Sequence, residues 1–176
     1  MPLSVAIQMD PISTIHLEGD STLVLGLEAQ RRGYTLYYYE PKDISLDQGV
    51  VMAWVRPLVL RYEQGNHFTL GEAIRIPLET MDVILLRQDP PFDMRYITTT
   101  YYLERIHPRS LVVNNPSEVR NCPEKLFICD FPDLMPPTVV TEDIREMDAF
   151  RNTHRDIIIK PLYAFGGEHI FRITAE

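Results

Sequence analysis

The sequence contains few of the residues that mark disulfide-rich, metal-binding or membrane proteins. Its two cysteines, Cys122 and Cys129, are too few for a disulfide framework in a chain of 176 residues, and their spacing is not that of a zinc site. The five histidines are scattered and form no metal-binding pattern. No apolar run approaches the roughly 20 residues of a membrane span. We therefore expect a cytoplasmic protein with reduced thiols.

The charge balance and the N-terminus argue against further classes. Asp and Glu number 25 against 17 Lys and Arg, and the net charge of −8 gives no electrostatic reason to expect nucleic acid or an anionic membrane as a partner. The N-terminal MPLSVAIQMD has no basic segment, and its apolar run is interrupted by Gln8 and ended by Asp10. It therefore predicts a buried strand rather than a signal peptide.

The first part of the chain has the pattern of a strand–helix–strand unit. Residues 4–9 predict a buried strand, and Asp20 or Ser21 can cap a helix that Gly33 is placed to end. Residues 35–39 predict the second strand. A unit of this length normally implies a parallel sheet with a right-handed crossover.

The middle of the chain departs from this alternation and then returns to it. Residues 50–55 and 58–62 indicate a hairpin or meander inserted into the sheet. Residues 82–87 (DVILLR) are the clearest buried strand, followed by a helix to about Ile106 and a strand at residues 111–114. The pattern predicts an α/β fold with a parallel-rich sheet.

A change in sequence pattern near residues 121–123 marks a domain boundary, which divides the chain into domains 1–121 and 122–176. The second domain is predicted to contain a strand at residues 138–140, a helix at 142–153 capped by Thr141, and strands at 156–160 and 169–173. Because the chain stops directly after the last of these strands, we expect a domain that is cut partway through.

Two lysines are candidates for binding phosphate. Lys160 ends a predicted strand and precedes a loop with Gly166 and Gly167, whose backbone N–H groups can approach phosphate oxygens closely. The loop is neither a Walker A nor a G-x-G-x-x-G motif, so a hairpin turn with a solvated lysine explains it as well. Lys125 lies beside the domain boundary, where ligands preferentially bind, but a lysine on a helix is usually solvated. The residues alone leave both interpretations open.

Charged residues also follow two predicted strands. Arg87 and Asp89 lie in a loop stiffened by two prolines, directly after residues 82–87. Loops at the carboxyl ends of parallel strands line the ligand crevice of open α/β sheets, where Arg87 can bind a carboxylate with two hydrogen bonds. A structural pair between Arg87 and Asp89 is an equal alternative. Asp10, after the first strand, has the same position and the same ambiguity.

Taken in order, these segments resemble the prokaryotic glutathione synthetase family. The matching segments are MDPI (9–12), LEAQRRGY (27–34), DVILLRQDPPFD (82–93), YYLER (101–105), VNNP (113–116), EKLF (124–127) and IIKPL (158–162). Each motif alone is weak, but the ordered set covers the chain from start to end. The resemblance implies a Rossmann-like pre-ATP-grasp domain to residue 121 and then the first part of an ATP-grasp domain. It also implies an ATP-dependent ligase that joins γ-glutamylcysteine and glycine through an acyl phosphate, with ATP and Mg2+ as cofactors.

The resemblance also implies roles for single residues. Lys125 and Lys160 fall on the family's nucleotide-binding lysines, and Gly166 and Gly167 match its glycine-rich phosphate loop. Asp10, Arg87 and Asp89 are expected on the peptide-substrate side, with roles inferred from their loop positions alone. No catalytic residue and no metal ligand is assigned within the chain, and we expect the magnesium ligands beyond Glu176. The complete protein is expected to be a homo-oligomer that binds small molecules only.

Departures from the family pattern and two alternatives complete the sequence-based hypothesis. The family's loop usually has a glycine at the position of Ala164, and small residues at those of Glu168 and His169. A stiffer, bulkier loop could alter closure over the phosphates. The first alternative is another ATP-grasp carboxylate–amine ligase, which the DPPFD loop disfavours. The second is a naturally short, non-catalytic module that binds a substrate or a nucleotide.

Overall fold

An eight-stranded sheet is the centre of the N-terminal part of the protein, in a computed structural model that describes residues 2–174. Its strands are β1 (Ser4–Gln8), β2 (Thr35–Tyr39), β3 (Ile44–Asp47), β4 (Val50–Leu60), β5 (Phe68–Leu70), β6 (Ile74–Pro77), β7 (Val83–Leu86) and β8 (Leu111–Val113). The helices of this part are α1 (Ser21–Arg31), α2 (Met94–Glu104) and α3 (Pro116–Asn121). The main strand order is β3-β4-β2-β1-β7-β8, in which β2, β1, β7 and β8 run parallel. The predicted α/β fold is confirmed.

The chain divides into two compact units, of which the first ends at Asn121 and the second begins at Cys122. We call them the N-terminal unit and the C-terminal unit. The helices of residues 2–174 include none whose length and apolar character would let it cross a membrane.

The opening strand–helix–strand unit follows from short local signals. The Asp20 carboxylate accepts a hydrogen bond of 2.8 Å from the backbone N–H of Leu23 and so caps α1. Gly33 follows the helix at a φ of 80°, a conformation that other residues adopt at a cost. The chain then returns as β2, which pairs with β1 in parallel from Ser4 opposite Thr35 onward.

Alternation along the strands gives the sheet two apolar faces. Ile7 of β1 and Leu23 of α1 belong to the core on one face, and Ala6 of β1 and Leu103 of α2 to the core on the other. Complete burial of a leucine or isoleucine side chain contributes roughly 1.5–3 kcal/mol. The sheet is therefore held between helices and presents its strand ends at an edge.

Gly26 lets α1 approach the sheet closely, which gives a testable effect on stability. A Cβ atom at this buried position would lie 2.4 Å from Leu60 Cδ1 and 3.3 Å from Ile7 Cδ1. We expect Gly26→Val to lower the free energy of unfolding by about 1–3 kcal/mol, measured by chemical denaturation, because the added atoms overpack the core. The control is Val24→Ala on the exposed side of the same helix, which should change it by less than about 1 kcal/mol. Unchanged stability of Gly26→Val would contradict the close packing.

Residues 50–55 and 58–62 do not form two strands of a hairpin or meander, because residues 50–60 form the single long strand β4, which ends before residues 61 and 62. Pro57 does not break the strand. On one edge of β4, β6 pairs with residues 52–55 and β5 with residues 58–60, so Pro57 lies in the gap between them. The observed hairpin joins β3 to β4 through Gln48 and Gly49, both with positive φ as in a type I′ turn.

The C-terminal unit has little regular structure and little core. It contains α4 (Ile144–His154) and an antiparallel pair of β9 (Ile157–Ile159) and β10 (Phe171–Ile173). Among residues 122–174, Ile157 alone is buried.

Two local predictions for the C-terminal unit are wrong. Residues 138–140 form no strand, since two β-favouring valines have no strand partner within residues 2–174. The cap of α4 is Asp143 rather than Thr141, because the Asp143 carboxylate accepts the backbone N–H of Arg145 at 2.9 Å. The hydroxyl of Thr141 instead accepts the backbone N–H of Asp143.

Candidate functional site

The structure brings Asp10 together with the loop that contains Arg87 and Asp89. Strands β1 and β7 are parallel neighbours, so the segments that leave their carboxyl ends lie side by side. The backbone N–H of Arg87 donates to the carbonyl oxygen of Gln8 at 2.8 Å, which extends the pairing by one residue. The backbone N–H of Asp89 donates to Asp10 Oδ2 at 2.7 Å. Asp10 therefore holds the loop, while its other carboxylate oxygen has no hydrogen bond within residues 2–174.

Arg87 is held by hydroxyl groups of helix α1 rather than by a carboxylate. Its Nε–H donates to Thr22 Oγ1 at 3.0 Å, and its Nη2 donates to Ser21 Oγ at 2.7 Å. Within residues 2–174 it forms no salt bridge, so the alternative pair with Asp89 is not formed. Its positive charge is fixed in place without being neutralised by a carboxylate at ion-pair distance.

Gln8 is a buried polar residue that the site prediction left out. Its side chain is completely buried, and its Nε2 donates to Gln88 Oε1 at 3.3 Å. Gln88 is the residue between Arg87 and Asp89. Within residues 2–174, neither the buried Oε1 of Gln8 nor the buried hydroxyl of Tyr39, its register partner on β2, has a hydrogen-bond partner. In the sequence, Gln8 is recognisable as a polar residue that interrupts an apolar strand. In the structure, its hydrogen bond to Gln88 supports the loop.

Tyr96 lies in the electrostatic field of the same cluster. Burial of its half-buried side chain raises the pKa of Tyr96, the charge of Arg87 lowers it, and the carboxylates of Asp89 and Asp10 raise it. Its ring packs on Phe92 with the ring centroids 4.9 Å apart. A tyrosine is protonated at neutral pH, and the net upward shift in the pKa of Tyr96 extends this to more alkaline pH, so the phenol can donate a hydrogen bond near the carboxylates.

Two concavities in the N-terminal unit lie apart from this cluster. One, of about 470 Å³, is lined by residues that include Gln30, Tyr34 and Pro57. The other, of about 210 Å³, includes Tyr38 and Trp54. Neither is lined by the three predicted substrate residues, so the case for those residues rests on their strand-end position and hydrogen bonds.

In the C-terminal unit, the structure joins Lys125 to the loop between β9 and β10. Lys125 Nζ donates to the carbonyl oxygen of Ala164 at 2.5 Å, and it lies 3.9 Å from Glu124 Oε1. Its side chain is only 22% exposed. Lys160 is exposed at the carboxyl end of β9, where the loop begins. Two segments that are far apart in the sequence thus meet at one loop.

The backbone of this loop explains its glycines. Gly166 and Gly167 have φ angles of 61° and 81°, and an added Cβ would meet no atom within 4 Å at either position. Conformation rather than crowding therefore requires glycine. His169 has a φ of 56°, which is uncommon for a residue with a side chain.

The loop and the two lysines have groups that suit phosphate. Lysine ammonium groups attract phosphate oxygens, and glycines, which have no side chain, let backbone N–H groups approach an anion closely. The described residues offer fewer ligands for a divalent cation than for phosphate. In the part of the chain that the structure describes, His, Cys, Asp and Glu side chains form no group of three or more that could hold a metal ion.

Comparison with known proteins gives matches along the chain. The family model described as the N-terminal domain of prokaryotic glutathione synthetase matches residues 3–120, and that of the ATP-grasp domain of the same family matches residues 124–176. Glutathione synthetase of Brucella melitensis is 56% identical over 174 residues, 99% of this chain and 56% of that relative. Those of Mesorhizobium japonicum and Vibrio vulnificus strain YJ016 are 55% and 44% identical, over 98% of this chain and 55% of each relative. The chain thus spans about half the length of these relatives.

Proposed function

Because the chain belongs to the prokaryotic glutathione synthetase family, we propose that the complete gene product joins γ-glutamylcysteine to glycine at the expense of ATP. The cysteinyl carboxylate attacks the γ-phosphorus of ATP, ADP leaves, and an acyl phosphate forms. The glycine amine then attacks the acyl carbon, phosphate leaves, and the nitrogen loses a proton. The products are glutathione, ADP and phosphate.

The observation that carries this proposal is the hydrogen bond between Lys125 and the loop after Lys160. This one loop therefore has the half-buried ammonium group of Lys125 beside it and the exposed Lys160 at its start. It also contains Gly166 and Gly167, both with positive φ. Phosphoryl transfer depends mainly on positioning and on stabilising charge, which are the contributions such groups make. We propose that Lys125, Lys160, Gly166 and Gly167 bind the phosphates of ATP. For the magnesium ion that ATP-grasp ligases use, residues 2–174 contain no group of three or more His, Cys, Asp and Glu side chains that could hold a metal ion.

We further propose that domain 1–121 binds the peptide through the Asp10–Arg87–Asp89 cluster. The glutamyl end of γ-glutamylcysteine carries an ammonium and a free α-carboxylate on one carbon. Arg87 can bind the carboxylate, and the neighbouring carboxylates of Asp10 and Asp89 can accept from the ammonium. This pairing would favour a γ-glutamyl peptide, with both charges free, over an ordinary α-linked peptide. A cytoplasmic location and a homo-oligomeric state stay predictions.

The test is ADP release by the complete gene product with ATP, magnesium, γ-glutamylcysteine and glycine, and with each component omitted in turn. We expect ADP release and glutathione by mass spectrometry only when all are present. Turnover with a different acid and amine would instead indicate another ATP-grasp ligase. Nucleotide binding without turnover on any pair would indicate a non-catalytic module, and either result would overturn the proposal.

A further inference from the structure

The guanidinium group of Arg87 uses one defined edge to contact helix α1. Nε–H and the adjacent Nη2–H form the side edge of the planar group, and these two donors bind Thr22 and Ser21. Thr22 is buried, with 7% of its surface exposed, so its hydroxyl is fixed by the packing of the helix against the sheet. The Arg87 side chain is therefore locked against rotation about its own axis.

This arrangement leaves the end edge of the guanidinium free. That edge consists of one N–H of Nη1 and the second N–H of Nη2, two parallel donors whose spacing matches the two oxygens of a carboxylate. Within residues 2–174 no carboxylate lies at ion-pair distance from Arg87. Arg87 thus has one edge committed to the protein and one suited to an external anion.

We propose that Ser21 and Thr22 are positioning residues that hold Arg87 with its end edge toward the carboxylate of the peptide substrate. The proposal rests on the proposed function and adds to it the residues that set the orientation of Arg87. A guanidinium free to rotate would still attract a carboxylate, but it would seldom present two donors at once. Removing the hydroxyl of Ser21 or of Thr22 should therefore weaken peptide binding and leave the affinity for ATP unchanged.

Steady-state kinetics of the complete gene product test this directly. Thr22→Val removes the hydroxyl and keeps the shape, and we expect the KM for γ-glutamylcysteine to rise about three- to tenfold, with kcat and the KM for ATP nearly unchanged. Thr22→Ser keeps the acceptor and should restore most of the affinity. If Thr22→Val folds poorly, Ser21→Ala tests the other hydroxyl contact of Arg87 at an exposed position. It should also raise the KM for γ-glutamylcysteine.

A matched control exists in the same unit. Arg61, directly after β4, donates from Nη2 to Thr69 Oγ1 of β5 at 2.8 Å, an arginine–threonine contact that involves none of the proposed substrate residues. Thr69→Val should leave both KM values unchanged. An increase equal to that of Thr22→Val would mean that any loss of such a contact weakens the protein generally, and it would overturn the proposal.

A double-mutant cycle separates this proposal from the proposed function. Arg87→Ala should raise the KM for the peptide, and adding Thr22→Val to it should then have no further effect. If Arg87→Ala raises this KM but Thr22→Val does not, the positioning role is wrong and the substrate site stands. If both act independently, Thr22 does not work through Arg87. If the unmodified protein makes no glutathione, the proposed function itself fails.

Discussion

Lys160→Ala is expected to weaken ATP binding by the complete gene product at least about tenfold, and to leave its affinity for γ-glutamylcysteine unchanged. A charge-assisted hydrogen bond to phosphate is worth about 1.5–3 kcal/mol, and each 1.4 kcal/mol corresponds to a factor of ten in Kd. Isothermal titration with each ligand measures both constants. Lys125→Ala should weaken ATP binding at least as much, because it also removes the hydrogen bond that ties Ala164 to the preceding segment.

The sequence offers a natural control for these variants. Its third lysine, Lys42, is exposed in the N-terminal unit and pairs with Glu40 at 2.6 Å. Lys42→Ala makes the same change in net charge at a site with no proposed role, and it should not alter ATP affinity. Unchanged ATP binding by Lys160→Ala would remove this residue from the nucleotide site.

Amide hydrogen exchange of the 176-residue chain should differ between the two units by at least about a hundredfold. Exchange through local opening is slow where buried apolar contacts hold a strand and fast where they are few. In the N-terminal unit β1 lies between β2 and β7, whereas β9 pairs with β10 alone among residues 2–174. A two-stranded pair is marginal by itself in water. Mass-spectrometric exchange, corrected for intrinsic rates, should show protection in β1 and rapid labelling in β9 and β10.

Strand β8 is the internal control for this measurement. Like β9 it has three residues of which one is buried, and in the main strand order it lies at the edge of its sheet. Its buried Val112, however, belongs to a core cluster with Ile84 and Leu103, whereas Ile157 of β9 belongs to neither core cluster. If strand length or an edge position caused rapid exchange, β8 would exchange as fast as β9. Equal protection of β1 and β9 would show instead that the C-terminal unit is stabilised by something other than apolar burial.

The elements that were predicted correctly from the sequence are those whose signals are local. The Asp20 cap and Gly33 lie within the segment they delimit, so α1 and the strands beside it could be recognised without their neighbours. The continuity of β4 could not be recognised in this way. Whether Pro57 breaks a strand depends on which part of each neighbouring strand faces it, and those strands are β5 and β6, later in the sequence.

The candidate site, too, was predicted only where the signals in the sequence are local. The sequence predicted that Asp10 and Asp89 each follow the carboxyl end of a strand, which in an open α/β sheet lines the ligand crevice. It did not predict that the two strands are neighbours, which is what brings the two residues together. The partners of Arg87 were not predicted either, because Thr22 is 65 residues away and hydroxyl groups at a helix start are explained equally well by capping. The contact between Lys125 and Ala164 spans 39 residues and uses a backbone acceptor, which has no signature in the sequence.

The absence of a side chain at Gly26 is also relevant to the proposed substrate site. Gly26 lies about one turn along α1 from Thr22, so a side chain that pushes the helix away from Leu60 is expected to move the Thr22 hydroxyl relative to Arg87. A displacement of a few tenths of an ångström is small for a core, but it is large for a hydrogen bond that sets the direction of a planar cation. Under the proposed role of Arg87, a larger residue at this glycine is therefore expected to change peptide recognition without replacing a residue that contacts the peptide. The distance between this helix and the sheet would then influence both the stability of the fold and the affinity for the peptide.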